Sequence, residues 1–215
     1  MHFLGKELIF PPVASADVQG LLAIGGDLSP QRLKLAYQSG IFPWYSDGEP
    51  ILWWSPDPRM VLFPKEVKVS KSMRQLFKKN AFTVTYNQSF ENVIRNCAQA
   101  KREGQEDTWI TEEMMLAYIE LHQQGWAQSV EVWKDGELVG GLYGVYLKEQ
   151  HVFCGESMFA KVSNASKYGF ISLVKKLEAE GVEMIDCQVH TSHLESLGAK
   201  EIAREVFLSY LDRDF

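Results

Sequence analysis

Ser129-Val-Glu-Val-Trp-Lys-Asp-Gly-Glu-Leu-Val-Gly-Gly-Leu-Tyr-Gly-Val-Tyr-Leu-Lys-Glu-Gln-His-Val-Phe-Cys-Gly155 is the stretch that decides the fold class. Three runs rich in apolar and aromatic residues, Ser129–Trp133, Leu138–Tyr146 and His151–Gly155, are separated by Asp135-Gly136 and by a polar turn. Asp-Gly tolerates the positive φ of a tight hairpin, so the runs predict a β-meander of antiparallel strands. Asn164 then reads as the cap of a helix through Glu180, with Phe170, Leu173, Val174 and Leu177 at helical spacing and Gly181 at its end. Val182–Val189 follows as a buried strand. A meander, a helix and a further strand imply an α+β domain built on a mixed sheet.

Working toward the N-terminus, Thr111 reads as the N-cap of a helix through Gln124, with Glu112 and Glu113 near its positive end. Ser89–Arg102 reads as a helix burying Phe90, Val93, Ile94 and Cys97, Ala81–Tyr86 as a strand, and Ser70–Lys79 as a helix with Met73, Leu76 and Phe77 on one side. The pattern changes after Pro56-Asp57-Pro58. A small N-terminal α/β domain is therefore expected over residues 1–60 and a larger domain over residues 61–215. Within the former, Gly25-Gly26-Asp27 is a turn feeding a helix capped by Ser29, opened by Pro30 and closed by Gly40. It lacks both the Walker lysine and the GxGxxG spacing of a phosphate loop.

The 215 residues are 46% hydrophobic and 23% charged, an ordinary globular composition with no membrane span and no secretory signal in view. Cys97, Cys154 and Cys187 form no CxxC pair, which suits reduced thiols in a cytoplasm. A formal charge of −6 argues against binding nucleic acid by global attraction. Locally, however, Lys65, Lys68, Lys71, Arg74, Lys78 and Lys79 face one acid, Glu66, either as a solvated helix face or as a phosphate-binding patch.

Chemistry is expected in two strands. Met184–Val189 sets Asp186 and Gln188 on one face of an apolar run, and a buried acid is costly unless it is paired or functional. Glu156 ends the run Phe153-Cys154-Gly155: strict alternation puts it on the side of Cys154 and opposite Phe153, whereas a bulge at the glycine would re-aim it. Neighbouring strands would bring Glu156, Asp186 and Gln188 into an acidic pocket walled by Phe153 and Met158. Ile41–Arg59 carries Trp44, Trp53 and Trp54 on proline-stiffened backbone, suited either to a small core or to gripping a planar ligand. Cys187, His190 and His193 do not converge as metal ligands on a strand and its exit loop, so no metal site is expected. Cys154 and Cys187 read as packing residues, and no GxSxG elbow is present.

Gly20-Leu-Leu-Ala-Ile-Gly-Gly-Asp-Leu-Ser29, Ile41–Arg59, Thr108-Trp109-Ile110-Thr111, Phe153–Phe159 and Ile185-Asp186-Cys187-Gln188 occur in this order. From about Gly20 to Leu211 the chain resembles the bacterial leucyl/phenylalanyl-tRNA–protein transferases. The resemblance implies a GCN5-related acetyltransferase-like (GNAT-like) larger domain. It also implies transfer of leucine or phenylalanine, with methionine as a further substrate, from aminoacyl-tRNA to proteins that begin with Arg or Lys. Such marking commits a protein to N-degron degradation. By resemblance, Trp44 and Trp109 stack on the terminal adenine, while Phe153, Met158 and Ile185 line the amino-acid side-chain pocket. Glu156, Asp186 and Gln188 form the catalytic centre, and Lys71, Arg74, Lys78 and Lys79 hold tRNA phosphates. His190-Thr191-Ser192-His193 departs from the family pattern, and Thr191 receives no role.

An aminoacyl ester is already activated, so the chemistry asks chiefly for alignment with a partly neutral amine. Asp186 is expected to orient Gln188, and Glu156 to hold the acceptor's charge or the reacting aminoacyl group. No cofactor is expected, nor a membrane or DNA partner. Rival readings are a CoA-dependent acyltransferase or cell-wall peptide aminoacyltransferase of the same fold, and a non-catalytic RNA-binding module. Phe159-Ala160-Lys161-Val162-Ser163 lacks the glycine-rich loop that would cradle a pyrophosphate, which counts against CoA.

Overall fold

A computed structural model describes residues 2–100 and 109–212. Strands β1 (His2–Leu4), β2 (Leu21–Gly25), β3 (Phe42–Pro43) and β4 (Leu52–Trp54) form a four-stranded sheet in the order β1-β2-β4-β3. Helix α1 (Pro30–Gln38) lies between β2 and β3 in the chain. Its start follows local chemistry: the Ser29 hydroxyl accepts the Arg32 N–H, and Pro30 sits where no N–H is needed. Gly40 then turns the chain at φ 73°, where a Cβ would lie 2.6 Å from a Leu208 methyl.

The second sheet has seven strands: β5 (Arg59–Leu62), β6 (Thr83–Tyr86), β7 (Ala127–Lys134), β8 (Glu137–Leu147), β9 (Val152–Ala160), β10 (Met184–Gln188) and β11 (Lys200–Ile202). Their order is β11-β5-β10-β9-β8-β7-β6, with β9 and β10 parallel and every other pair antiparallel. The meander is β7-β8-β9, and Asp135 and Gly136 take φ 52° and 82° at its first turn. The observed architecture is the α+β mixed sheet expected from the meander, helix and strand.

Helices cover both faces. On one face, α5 (Ala165–Ala179) buries Phe170, Leu173, Val174 and Leu177 against Leu142, Phe153 and Ile185. Phe77 of α2 (Lys71–Lys78) stacks on Tyr168 of α5 with ring centroids 4.0 Å apart. On the other face, Tyr37 of α1, Val93 and Ile94 of α3 (Phe90–Gln99) and Tyr118 of α4 (Glu112–Gln123) meet Tyr143, Val145 and Cys154. Trp53 of the small sheet belongs to the same cluster, so the two sheets share one core. Two short helices, α6 (Ser192–Ser196) and α7 (Arg204–Leu211), flank β11.

Two local readings change. Arg59–Leu62 is a strand of the larger sheet, between β10 and β11, so a division at residue 60 falls inside β5. All four of its residues are buried, and a strand buried on both faces shows no alternation to read. Asn164 does precede α5, but it takes φ 69° and its side chain makes no capping bond. Lys101, Arg102 and Thr108 lie outside the described residues.

Candidate active site

The parallel pair β9–β10 splits partway along its length. Pairing runs through Met184–Val152, Ile185–Phe153 and Asp186–Cys154, and no register is kept beyond it. On β9, pairing with β8 passes from Tyr143–Ser157 to Gly144–Gly155, which leaves Glu156 as the extra residue of a bulge. On β10, the register with β5 shifts between Asp186 and Gln188, and Gln188 takes φ 65°. Such a conformation costs a non-glycine residue about 1–3 kcal/mol. It breaks the period-two alternation, so Cys187 and Gln188 both face the opening.

The opening is a cavity of about 550 Å³. Trp44 and Trp109 line it, with Phe42 and Pro43 beside Trp44. Phe153, Met158 and Ile185 form an apolar wall that Leu142, Phe170 and Cys187 extend. Glu156 and Gln188 supply polar groups, and Gln188 Nε2 donates to Glu156 Oε1 at 2.9 Å across the split. Trp44 is 37% exposed and tilts against Trp54, whose indole N–H donates to the Trp44 carbonyl at 2.7 Å. Trp53 is fully buried, edge-on to Phe10, with its N–H on the Gly25 carbonyl. Trp53 and Trp54 are therefore support for the wall, and Trp44 is the ring offered to the cavity.

Asp186 does not line the cavity. It is fully buried and takes a two-point ion pair from Arg59, Nε to Oδ1 at 2.9 Å and Nη2 to Oδ2 at 2.8 Å. The guanidinium lies between the rings of Phe42 and Phe207, 4.7 and 4.5 Å from their centroids. Asp186 Oδ1 also accepts the backbone N–H of Gln188 at 2.9 Å. The acidic pocket expected from both carboxylates is thus one cavity-facing acid, Glu156, with Asp186 behind it as the anchor of the Gln188 backbone.

Glu156 is enclosed apart from its cavity edge. With the carboxyl ionised, Tyr37 donates to Oε1 at 2.7 Å and Tyr118 to Oε2 at 3.1 Å, and the two phenol oxygens also touch each other. Burial pushes the Glu156 carboxyl up to about 7, against the lowering pull of the bonds that Tyr37, Tyr118 and Gln188 donate to its ionised form and with a further push from the Asp186 charge. Burial, followed by the Glu156 charge, raises both phenols well above their ordinary range. Neither Tyr37 nor Tyr118 was assigned to the site from sequence, because both sit in the apolar stripes of their helices. A buried phenol hydroxyl needs a partner, and that need was the available signal.

The residues 190–194 close one side of the cavity. The Thr191 hydroxyl accepts the Leu194 N–H and caps α6, so it has a structural task. His193 faces the cavity, and burial followed by nearby Lys167 lowers its pKa. His190 is turned to Glu195 at 3.3 Å. Among the described residues, no three His, Cys, Asp or Glu side chains gather as a metal would require. Lys71, Arg74, Lys78 and Lys79 are exposed along α2 and at its C-terminus, outside the cavity, while Met73 turns inward.

The chain is 64% identical over 211 residues to the leucyl/phenylalanyl-tRNA–protein transferase of Flavobacterium johnsoniae, covering 98% of this chain and 99% of that one. It is 61% identical to the enzyme of the same name from Christiangramia forsetii, covering 98% and 100%. Among solved structures, L-PGS from Bacillus licheniformis shares 13% identity at a TM-score of 0.43, over 80% of this chain and 54% of that one. The model of the leucyl/phenylalanyl-tRNA protein transferase family matches residues 61–212, and that of its N-terminal domain matches residues 26–57. On this match and these identities, the chain belongs to the leucyl/phenylalanyl-tRNA protein transferase family.

Proposed function

We propose that this chain moves leucine or phenylalanine, and methionine as a further substrate, from aminoacyl-tRNA onto the α-amino group of proteins that begin with Arg or Lys. The setting is the cytoplasm, and the product is marked for N-degron degradation. One observation carries the reading: a single cavity joins the rings of Trp44 and Trp109, an apolar wall of Phe153, Met158 and Ile185, and the Glu156–Gln188 pair.

In this reading the terminal adenine stacks on Trp44 and Trp109, worth about 1–3 kcal/mol per base by the usual scale of base stacking. The leucyl or phenylalanyl side chain enters the apolar wall. Rejection of β-branched side chains there is steric, at roughly 1–3 kcal/mol per methylene-sized mismatch. The amine nitrogen forms a bond to the ester carbonyl carbon as the bond to the ribose oxygen breaks. One amine proton ends on that oxygen, so the amide and the free ribose hydroxyl are the products. An α-amine with a pKa near ~8 is partly neutral at pH 7, so alignment contributes more than base strength. Gln188 and Glu156 supply that alignment, and Asp186 acts as a positioning residue through the Gln188 backbone. The exposed cations Lys71, Arg74, Lys78 and Lys79 suit acceptor-stem phosphates.

Labelled Leu-tRNA with an arginine-starting peptide tests the reading, beside an alanine-starting peptide and acetyl-CoA as controls. Label should pass to the arginine peptide alone. Binding of Leu-tRNA with no transfer, or acetyl transfer in its place, would overturn it.

A further inference from the structure

Three groups with four oxygens meet at the inner end of the cavity: the Tyr37 hydroxyl, the Tyr118 hydroxyl and the Glu156 carboxyl. Tyr37 touches Oε1, Tyr118 touches Oε2, and the phenols touch each other, so there are three oxygen–oxygen contacts. Each phenol brings one proton. With Glu156 ionised, two protons serve three contacts, and one close pair of oxygens faces lone pair to lone pair. With Glu156 protonated on Oε2, each contact has its own proton. The carboxyl then donates to Tyr118, Tyr118 to Tyr37, and Tyr37 back to Oε1, while Oε1 still accepts Gln188 Nε2. Cyclic arrays of this kind polarise and reinforce one another in a low-dielectric setting.

We propose that the empty site keeps Glu156 as a carboxylic acid, and that Tyr37 and Tyr118 are positioning residues whose hydroxyls close a proton ring with it. The surroundings agree. Among the described residues, no cation pairs with Glu156. The groups facing it are Tyr37 of α1, Tyr118 of α4, and Gln188 and Asp186 of β10. Arg59 of β5 is engaged with Asp186, Tyr143 of β8 stands behind Tyr118, and Cys154 lies on the same strand. Burial pushes the carboxyl in the same direction, up to about 7.

A neutral acid gives the site a second capacity, one that rests on the proposed transfer reaction. As the ester C–O bond breaks, the three ring protons shift one place, which puts the acid proton on Oε1, the oxygen that meets Gln188 at the cavity, and that proton passes to the departing ribose oxygen. The nitrogen, which carries a surplus proton once bonded to the carbonyl carbon, returns one to the carboxylate. Glu156 ends as it began, and the net reaction is unchanged.

The test follows the carboxyl itself in the full-length protein, with glutamate labelled by carbon-13 at the side-chain carboxyl and the Glu156 signal assigned by its loss in Glu156→Gln. In the wild-type protein the signal should titrate with a midpoint near about 7. In Tyr37→Phe and in Tyr118→Phe the ring is open, and the midpoint should fall by roughly half to one pH unit, the size of one net hydrogen bond. The pH optimum of transfer in either variant should move in the acid direction with it. Ionisation of wild-type Glu156 in the ordinary carboxylate range would overturn the proposal. So would a higher midpoint in either variant, which is what two phenols merely donating to a carboxylate would give. The wild-type titration decides the matter even where a variant fails to fold. An enzyme that transfers nothing, yet titrates as described, would remove the transfer reading and leave the ring standing.

Discussion

Arg59 and Asp186 show how a buried pair is both a cost and a commitment. Two charges out of water are tolerated because the fork-to-carboxylate geometry is two-point and because Phe42 and Phe207 sheathe the guanidinium. Arg59→Met strands the Asp186 carboxylate and should cost about 3–5 kcal/mol, read as a lower urea midpoint at unchanged slope. Combining it with Asp186→Leu should restore most of that stability, since an apolar pair of similar volume avoids the desolvation penalty. Transfer should stay low in the double variant, because Gln188 loses the carboxylate that accepts its N–H. Glu156 carries a pH signature of its own. The folded chain keeps its proton up to about pH 7, and the unfolded chain only to about 4.5. Between those values the unfolded chain has already lost the proton, so stability falls as pH rises through the window, by on the order of 3 kcal/mol, and levels off above it. Glu156→Gln should flatten this dependence in denaturation curves taken below and above the window. Asp186 and Gln188 were legible as polar groups inside an apolar strand. That Asp186 faces Arg59 and not the cavity was not legible, because the partner is 127 residues away and alternation fails at the left-handed Gln188.

Helix α3 illustrates what local patterns reveal about elements and what they miss. Ser29, Ser70 and Thr111 cap their helices by accepting the N–H three residues on, a signal wholly contained in the adjoining sequence. Ser89 makes no such bond at the start of α3. The start of the helix is instead held from another element: the buried Glu131 carboxylate of β7 accepts the backbone N–H of Ser89 itself at 3.3 Å and the hydroxyls of Ser129 and Thr85 at 2.6 Å each. A carboxylate at a helix N-terminus also meets the positive end of the dipole. Glu131→Ala should cost about 2–3 kcal/mol in chemical denaturation and loosen α3 first in hydrogen exchange, because charged hydrogen bonds and buried donors are both lost. The β8–β9 bulge is equally remote from any local rule. A Cβ on Gly144 would lie 2.2 Å from the Cys154 carbonyl oxygen, so the strands can approach there only with glycine. Gly144→Ala should force the pair apart, cost about 1–3 kcal/mol, and lower transfer by displacing Glu156. β5 and β11 escaped notice for a related reason. Each is short and pairs only with distant strands, so nothing nearby in sequence signals it.

At the scale of the molecule, the site exists because a mixed sheet contains one parallel pair that diverges beyond Asp186 and Cys154. The small sheet closes the gap from one side with Trp44, and shares the core that holds Tyr37 and Tyr118 beneath Glu156. The meander and the helix after it made this class of sheet legible. The split was not, since it depends on a bulge and a left-handed residue acting together. Charge is arranged on the same scale: a net −6 coexists with the exposed cations of α2. Charge reversal at Lys71, Arg74, Lys78 and Lys79 should weaken Leu-tRNA binding and flatten its salt dependence by roughly 0.7–0.9 log units per lost phosphate contact. Transfer from a short aminoacylated fragment that never reaches α2 should be unchanged. The most direct measurement is a structure of the protein with phenylalanine amide-linked to adenosine, a stable stand-in for the end of a charged tRNA. The adenine should lie on Trp44 and Trp109, the phenyl ring among Phe153, Met158 and Ile185, and the amide beside Glu156 and Gln188. An analogue bound outside this cavity, or seated in it with adenine and phenyl exchanged, would contradict the account.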